Sequence, residues 1–359
     1  MVLLQLQKLR SDHNRLVFFN KLKLALLALG LVAIWFFAAG SELTDKEKML
    51  WDKVRAAQLH ISQFRQRSGV MSEASVDPWQ TGMIGLEWSG ITTTMGDLAA
   101  KRTASDPFWS VQFTRWFREL GLEKRDTVVI FSSGSFPGML LNALAAAESM
   151  DMKTVLIASL GASTWGANHP GFTLPVLLTE LRSGGFINTQ AGYYTLGGGS
   201  EIGNGMAPEG KALLEKVVQT SGVKLLSTDT LEEMISMKTD FLLRQEADVF
   251  INIGGSQANL GSDEDAIYLP SGLVSKFSIE ESGNGVIGAA MRGSIPVIHM
   301  LNLKSLCKRI GLQFDSPPRK KAPAKMGALW SVVGLFAFFG VLLRHHRWLL
   351  SSDGSNESL

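Results

Sequence analysis

Between Thr127 and Ile310 the chain alternates short, unbroken apolar runs with longer stretches of helical period. Thr127–Ser132, Thr154–Ser159, Val223–Leu226, Val249–Ile253 and Ile295–Met300 read as strands, and Phe136–Met150, Pro208–Ser221, Leu231–Glu246 and Leu303–Ile310 as helices. Strands without polar alternation are covered on both faces, so the expected fold class is α/β: a mostly parallel, doubly wound sheet in one soluble domain. Upstream, residues 44–68 place Leu50, Val54, Ala57, Ile61 and Phe64 on one stripe of an amphipathic helix. Asp77-Pro78 breaks the chain, and Met83–Trp88 then reads as a short strand running into a threonine-rich loop. The next helix has Asp106 as N-cap, Pro107 in its first position, an aromatic face of Phe113, Trp116 and Phe117, and Gly121 as its stop.

Two runs stand outside this rhythm. Leu24–Ser41 and Met326–Leu343 each carry 18 residues without a charge, enough to cross the hydrocarbon of a bilayer as a helix. The expected organisation is a tail over 1–23, a transmembrane helix over 24–41 and an amphipathic linker helix over 42–80. The α/β domain covers 81–315, followed by a basic linker over 316–325, a second transmembrane helix over 326–343 and a tail over 344–359. Ala38-Ala39-Gly40 before Ser41 leaves open a cleaved signal peptide, although the apolar stretch exceeds the usual signal core. Lys8, Arg10, Arg15, Lys21 and Lys23 precede the first run, and Arg344 and Arg347 follow the second. They favour cytoplasmic termini and an extracytoplasmic domain in a two-pass protein of the cell membrane; Lys46, Lys48, Lys53, Arg55, Arg319, Lys320, Lys321 and Lys325 oppose that bias.

Charge changes the picture once the tails are removed. The whole chain has 35 basic and 33 acidic residues, and taking away the seven basic and three acidic tail residues leaves 28 against 30. A surface of that balance does not indicate nucleic acid as a partner. The single cysteine, Cys307, permits no internal disulfide and so carries no information on compartment.

Candidate chemistry sits at strand ends. Ser132-Ser133-Gly134-Ser135, Ser159-Leu160-Gly161-Ala162-Ser163 and Gly254-Gly255-Ser256-Gln257 each follow an apolar strand. In an open α/β sheet such loops converge on one crevice, where small residues let backbone amides approach a ligand and hydroxyls add donors. A carboxylate or phosphate suits that chemistry; turn geometry alone also accounts for Gly and Ser at such places. The binding candidates are Gly134, Ser163, Asn168, Gly255 and Ser256, with Thr92, Thr93, Thr94, Lys101 and Arg102 from the threonine-rich loop and the basic pair after it. Ser133 or Ser135 as a nucleophile with His169 as base is the catalytic alternative, but Gly134–Gly138 lacks the nucleophile-elbow spacing. Leu196–Gly205 fits neither common phosphate-loop pattern and reads as a mobile loop. With no paired-Cys, H-E-x-x-H or EF-hand spacing, no metal site and no cofactor are expected.

Several of these segments resemble the poly-γ-glutamate system protein family. The matching stretches are Gly85-Leu86-Glu87 with Ile91–Thr94, Ala100–Thr103, Ser133–Pro137, Ser159–Ser163 with Trp165–Asn168, and Ile295–His299. The resemblance runs from about Thr81 to Asp315 and implies a role in making, exporting or processing a γ-linked glutamate polymer at the envelope. It implies no catalytic residues. The leading expectation is a membrane-anchored accessory component binding the polymer or its synthase and export subunits through a carboxylate-binding crevice. The alternative is a serine-dependent hydrolase or transferase acting on γ-glutamyl amide bonds.

Overall fold

The computed structural model describes residues 42–263, 265–274 and 282–322, together with residues 8, 13, 15, 18–19, 22–23, 25–31 and 332–340 in the flanks. It divides into two compact units, Leu43–Lys320 and a unit made of Met1–Glu42 with Lys321–Leu359. Of the two expected spans, residues 25–31 and 332–340 are helical and the remainder lies outside the described residues. Among the described residues no helix is long and apolar enough to cross a membrane. Within the smaller unit, a Cβ on Gly334 would stand 3.0 Å from Leu31 Cδ2, so the two helical stretches touch at that point.

The larger unit is built on a seven-stranded sheet: β2 (Thr127–Ser133), β3 (Lys153–Ser159), β7 (Ala191–Thr195), β8 (Lys224–Leu225), β9 (Val249–Ile253), β10 (Gly272–Val274) and β11 (Val297–Met300), in the order β10-β11-β9-β2-β3-β7-β8. All neighbours are parallel except β10 and β11. Successive residues of β2 point to opposite faces. Val128 and Ile130 enter one core with Ile251 and Ile298, and Val129 and Phe131 enter another with Phe250 and Val297. Helices cover both faces: α1 (Asp45–Arg67), α3 (Phe108–Glu119) and α4 (Pro137–Ser149) on the first, α7 (Leu231–Arg244) and α9 (Val286–Arg292) on the second. The α/β class and the mostly parallel sheet follow from the continuous apolar strands, as expected.

Two stretches differ from expectation. Helix α1 is not a linker: its stripe Leu50, Val54, Ala57 and Ile61 is buried in the domain core, and a Thr44–Glu47 capping box fixes its start. Met83–Trp88 is not a strand. Its backbone makes only an isolated exchange with Trp165, whose carbonyl accepts from Gly85 N at 3.1 Å and whose N–H donates to the Leu86 carbonyl at 2.7 Å. Side chains hold the rest: Arg65 Nη1 donates to the carbonyls of Gly82 (2.9 Å) and Ile84 (2.6 Å), and Asn168 takes both the N–H and the carbonyl of Leu86. Together these contacts satisfy the buried peptide groups that a full strand ladder would otherwise pair.

The start of α3 carries a buried acid. Asp106 Oδ1 accepts from Phe108 N at 2.9 Å, and burial, only partly offset by that bond, pushes the carboxyl up to about 7. An acid whose pKa is raised on folding contributes most stability below its unfolded pKa of ~3.9 and loses it as pH rises through its folded value. Asp106→Asn keeps the cap acceptor and cannot ionise. Chemical denaturation should show the variant gaining on the wild type between pH 4 and about 7, with a constant difference above.

Candidate active site

Strand order places the site. The connection from β2 runs to β3 on one side and the chain later returns to β9 on the other, so β2 sits at the switch point where loops diverge and leave a crevice beyond the carboxyl ends. Ser133 lies level with Ser159 in the register of β2 and β3. A second, small pairing completes the wall: β1 (Thr92–Thr94) runs parallel to β4 (Ala162–Ser163), with Thr94 opposite Ser163. Helix α2 (Leu98–Ala104), capped by the Asp97 carboxylate on Ala99 N, follows directly and brings Lys101 over the crevice.

The result is a cavity of about 510 Å³. Thr93, Thr94, Lys101, Ser133, Ser135, Ser163, Gly255 and Ser256 line it, so residues from four separate segments meet at one place. At its wall Lys101 Nζ lies 2.6 Å from Ser163 Oγ and 2.7 Å from the Ser135 carbonyl, and sits 3.7 Å from the centre of the Phe136 ring. Ser163 N in turn donates to Ser135 Oγ at 3.0 Å. Burial, only partly offset by nearby Asp97, pushes the Lys101 ammonium down to about 7, which makes the free amine accessible near neutrality. Gly96 makes the approach possible, because a Cβ there would stand 2.8 Å from Ser163 Oγ and 3.1 Å from Lys101 Cε.

The other candidate residues are engaged elsewhere. Arg102 forks onto Asp315 with two bonds of 2.7 Å and does not line the cavity; a guanidinium next to Lys101 on a helix points a different way. Thr92 and Asn168 are buried and bonded to each other at 2.9 Å, Asn168 serving as the bracket that holds Leu86. Gly134 packs under the loop after β3, where a Cβ would meet the carbonyls of Ser159 and Leu160 at 3.0 Å. His169 is half-buried, accepts from Gly171 N and does not line the cavity, so the expected Ser-His pairing lacks its base. His299 is fully buried beside Asn252, and burial pushes its imidazole down to about 4.

Sequence reading missed a second charged group at the wall. The glycine loop 196–205 is closed on itself by the bridges Gly197–Ile202 and Gly199–Asn204, which corrects its reading as mobile. It delivers Glu201 into the interior, where the carboxylate meets Lys238 Nζ at 2.7 Å and the Ser256 hydroxyl, with both charged side chains 1% exposed. Burial pushes the Glu201 carboxyl up, but the Lys238 ammonium and the surrounding hydroxyls outweigh it and hold the acid ionised. Ser200 and Glu201 both take positive φ, a conformation costly for residues with a Cβ and maintained by this anchor. A charged residue inside a glycine run was the available signal.

Among the described residues no cluster of potential ligands for a metal ion is present. The chain matches no family model, no curated protein and no solved structure.

Removing one partner of a buried pair strands the other charge. Lys238→Met should therefore cost ~3–5 kcal/mol in denaturant unfolding, and the double variant Glu201→Gln/Lys238→Met should recover most of that loss.

Proposed function

We propose that the protein is a serine-dependent hydrolase or transferase acting on an amide bond, with Ser163 as nucleophile and Lys101 as general base. The observation that carries this reading is the 2.6 Å contact between Ser163 Oγ and a buried lysine whose pKa is pushed down to about 7. A hydroxyl nucleophile needs a base within hydrogen-bond reach, and a desolvated lysine supplies a neutral amine near physiological pH. In the forward step Ser163 Oγ attacks the carbonyl carbon while its proton passes to Lys101 Nζ. The tetrahedral intermediate collapses, the leaving amine takes that proton, and water or an acceptor then releases the acyl group by the same route.

The substrate class rests on the resemblance of the crevice-forming segments to the poly-γ-glutamate system proteins, which supports a γ-linked glutamate chain as the polymer acted on. A non-catalytic, polymer-binding accessory role is the second reading. It is favoured by the wall of small and hydroxyl-bearing residues around Thr93, Thr94, Gly255 and Ser256, and disfavoured by a cation whose charge burial weakens. The two uncharged runs and the contact between the helical stretches 25–31 and 332–340 support a two-pass anchor, and the basic residues of the tails favour a domain outside.

Purified protein incubated with poly-γ-glutamate should shift the polymer's size distribution, and Ser163→Ala should abolish the shift. Unchanged polymer that nevertheless binds would favour the accessory reading. Because only the neutral amine accepts a proton, kcat/KM should rise tenfold per pH unit below about 7 and level off above it. Lys101→Met should lower kcat by ~10²–10⁴-fold and erase that limb. Protease added to intact cells should cleave the domain of the anchored protein; full protection would reverse the proposed sidedness.

A further inference from the structure

The Ser163–Lys101 pair accounts for attack and proton transfer but leaves the negative charge on the carbonyl oxygen unanswered. We infer that the Ser135 hydroxyl is the donor that meets this oxyanion, an assignment that rests on the reading of Ser163 as nucleophile. Three observations converge on it.

Ser135 Oγ accepts the Ser163 N–H at 3.0 Å, so it stands beside the nucleophile's own backbone and within reach of a carbonyl bonded to Ser163 Oγ. Accepting that N–H uses a lone pair and leaves the Ser135 O–H free to donate; among the described residues no acceptor takes it. The residue is half-buried at the cavity wall, so the hydroxyl reaches a bound group.

Its position is also fixed from three sides. The Ser135 N–H donates to Ser133 Oγ at 3.3 Å, its carbonyl receives Lys101 Nζ at 2.7 Å, and its hydroxyl oxygen receives Ser163 N. A donor held this way needs no reorganisation when charge develops, which is the condition under which such hydrogen bonds lower a barrier most. As Ser163 Oγ bonds to the carbonyl carbon, the π electrons move to oxygen and Ser135 O–H donates to it. When the intermediate collapses, the carbonyl reforms and the bond relaxes to that of a neutral acceptor.

The test uses the full-length protein with p-nitrophenyl acetate as substrate and phenylboronic acid as a tetrahedral probe. Ser135→Ala should lower kcat/KM by on the order of 10²-fold or more and weaken boronic acid binding by a similar factor. The pH limb near 7 should stay in place, and Ser135→Thr should restore much of the loss. A loss smaller than about threefold overturns the assignment. So does a loss accompanied by movement of the limb, which would make Ser135 a positioning residue for Lys101. Boronic acid affinity measured by calorimetry needs no turnover, and equal affinity in wild type and Ser135→Ala also overturns it. If Ser163→Ala hydrolyses the ester as fast as the wild type, the nucleophile reading itself falls, whatever Ser135 does.

Discussion

The short parallel pairing of Thr92–Thr94 with Ala162–Ser163 is the constraint on which the site depends. It covers few residues, yet it joins two segments that lie on either side of the first βαβ unit. Without it, helix α2 has no reason to lie over the ends of β2 and β3, and Lys101 has no route to Ser163. Thr164 reinforces the seam with both backbone and side chain: its N–H donates to the Thr94 carbonyl at 2.9 Å, and its Oγ1 bridges both backbone groups of Gly96. The main sheet supplies a rigid floor, and the seam adds the wall that turns a set of strand ends into a cavity.

Placing an amine in that wall has an energetic cost that its surroundings only partly offset. Lys101 has a carbonyl, a hydroxyl and an aromatic face around its Nζ, but no carboxylate in direct contact, and desolvation therefore dominates. Lys238 shows the opposite arrangement a short way around the same cavity. There a carboxylate touches the ammonium, both are sealed from water, and the pair holds a strained glycine loop in place. Burial pushes both lysines down, and what sets Lys238 apart is the carboxylate of Glu201, which offsets part of that cost where Lys101 has only uncharged neighbours in contact.

Much of the fold was legible because burial on both faces leaves an unbroken apolar signature, as in Thr127–Ser132 and Val249–Ile253. The convergence of Ser133, Ser163 and Ser256 was legible too, since parallel sheets bring strand-end loops together. Strand β7, Ala-Gly-Tyr-Tyr-Thr, was not: glycine and two amphipathic rings dilute the apolar run between polar neighbours. Nor were the partners of the site. Which of Lys101 and Arg102 turns inward depends on the helical phase set by Asp97, and the role of Glu201 depends on Lys238, which lies 37 residues further on. Histidine was sought as the base because its ordinary pKa suits the task. Burial gave a lysine that property, and burial is a tertiary fact.

Helix α2 also answers to the far end of the domain. Arg102, adjacent to Lys101 in the chain, forks onto Asp315, while Thr103 Oγ1 receives the Asp315 backbone N–H at 2.9 Å. One peptide bond therefore separates the amine over Ser163 from the clamp on the segment by which the chain leaves the domain. Lys320, five residues nearer the exit, pairs with Asp52 of α1, so strain arriving along that segment meets α1 and then α2, and Asp315 cannot shift while its clamp holds without moving the helix that carries the amine.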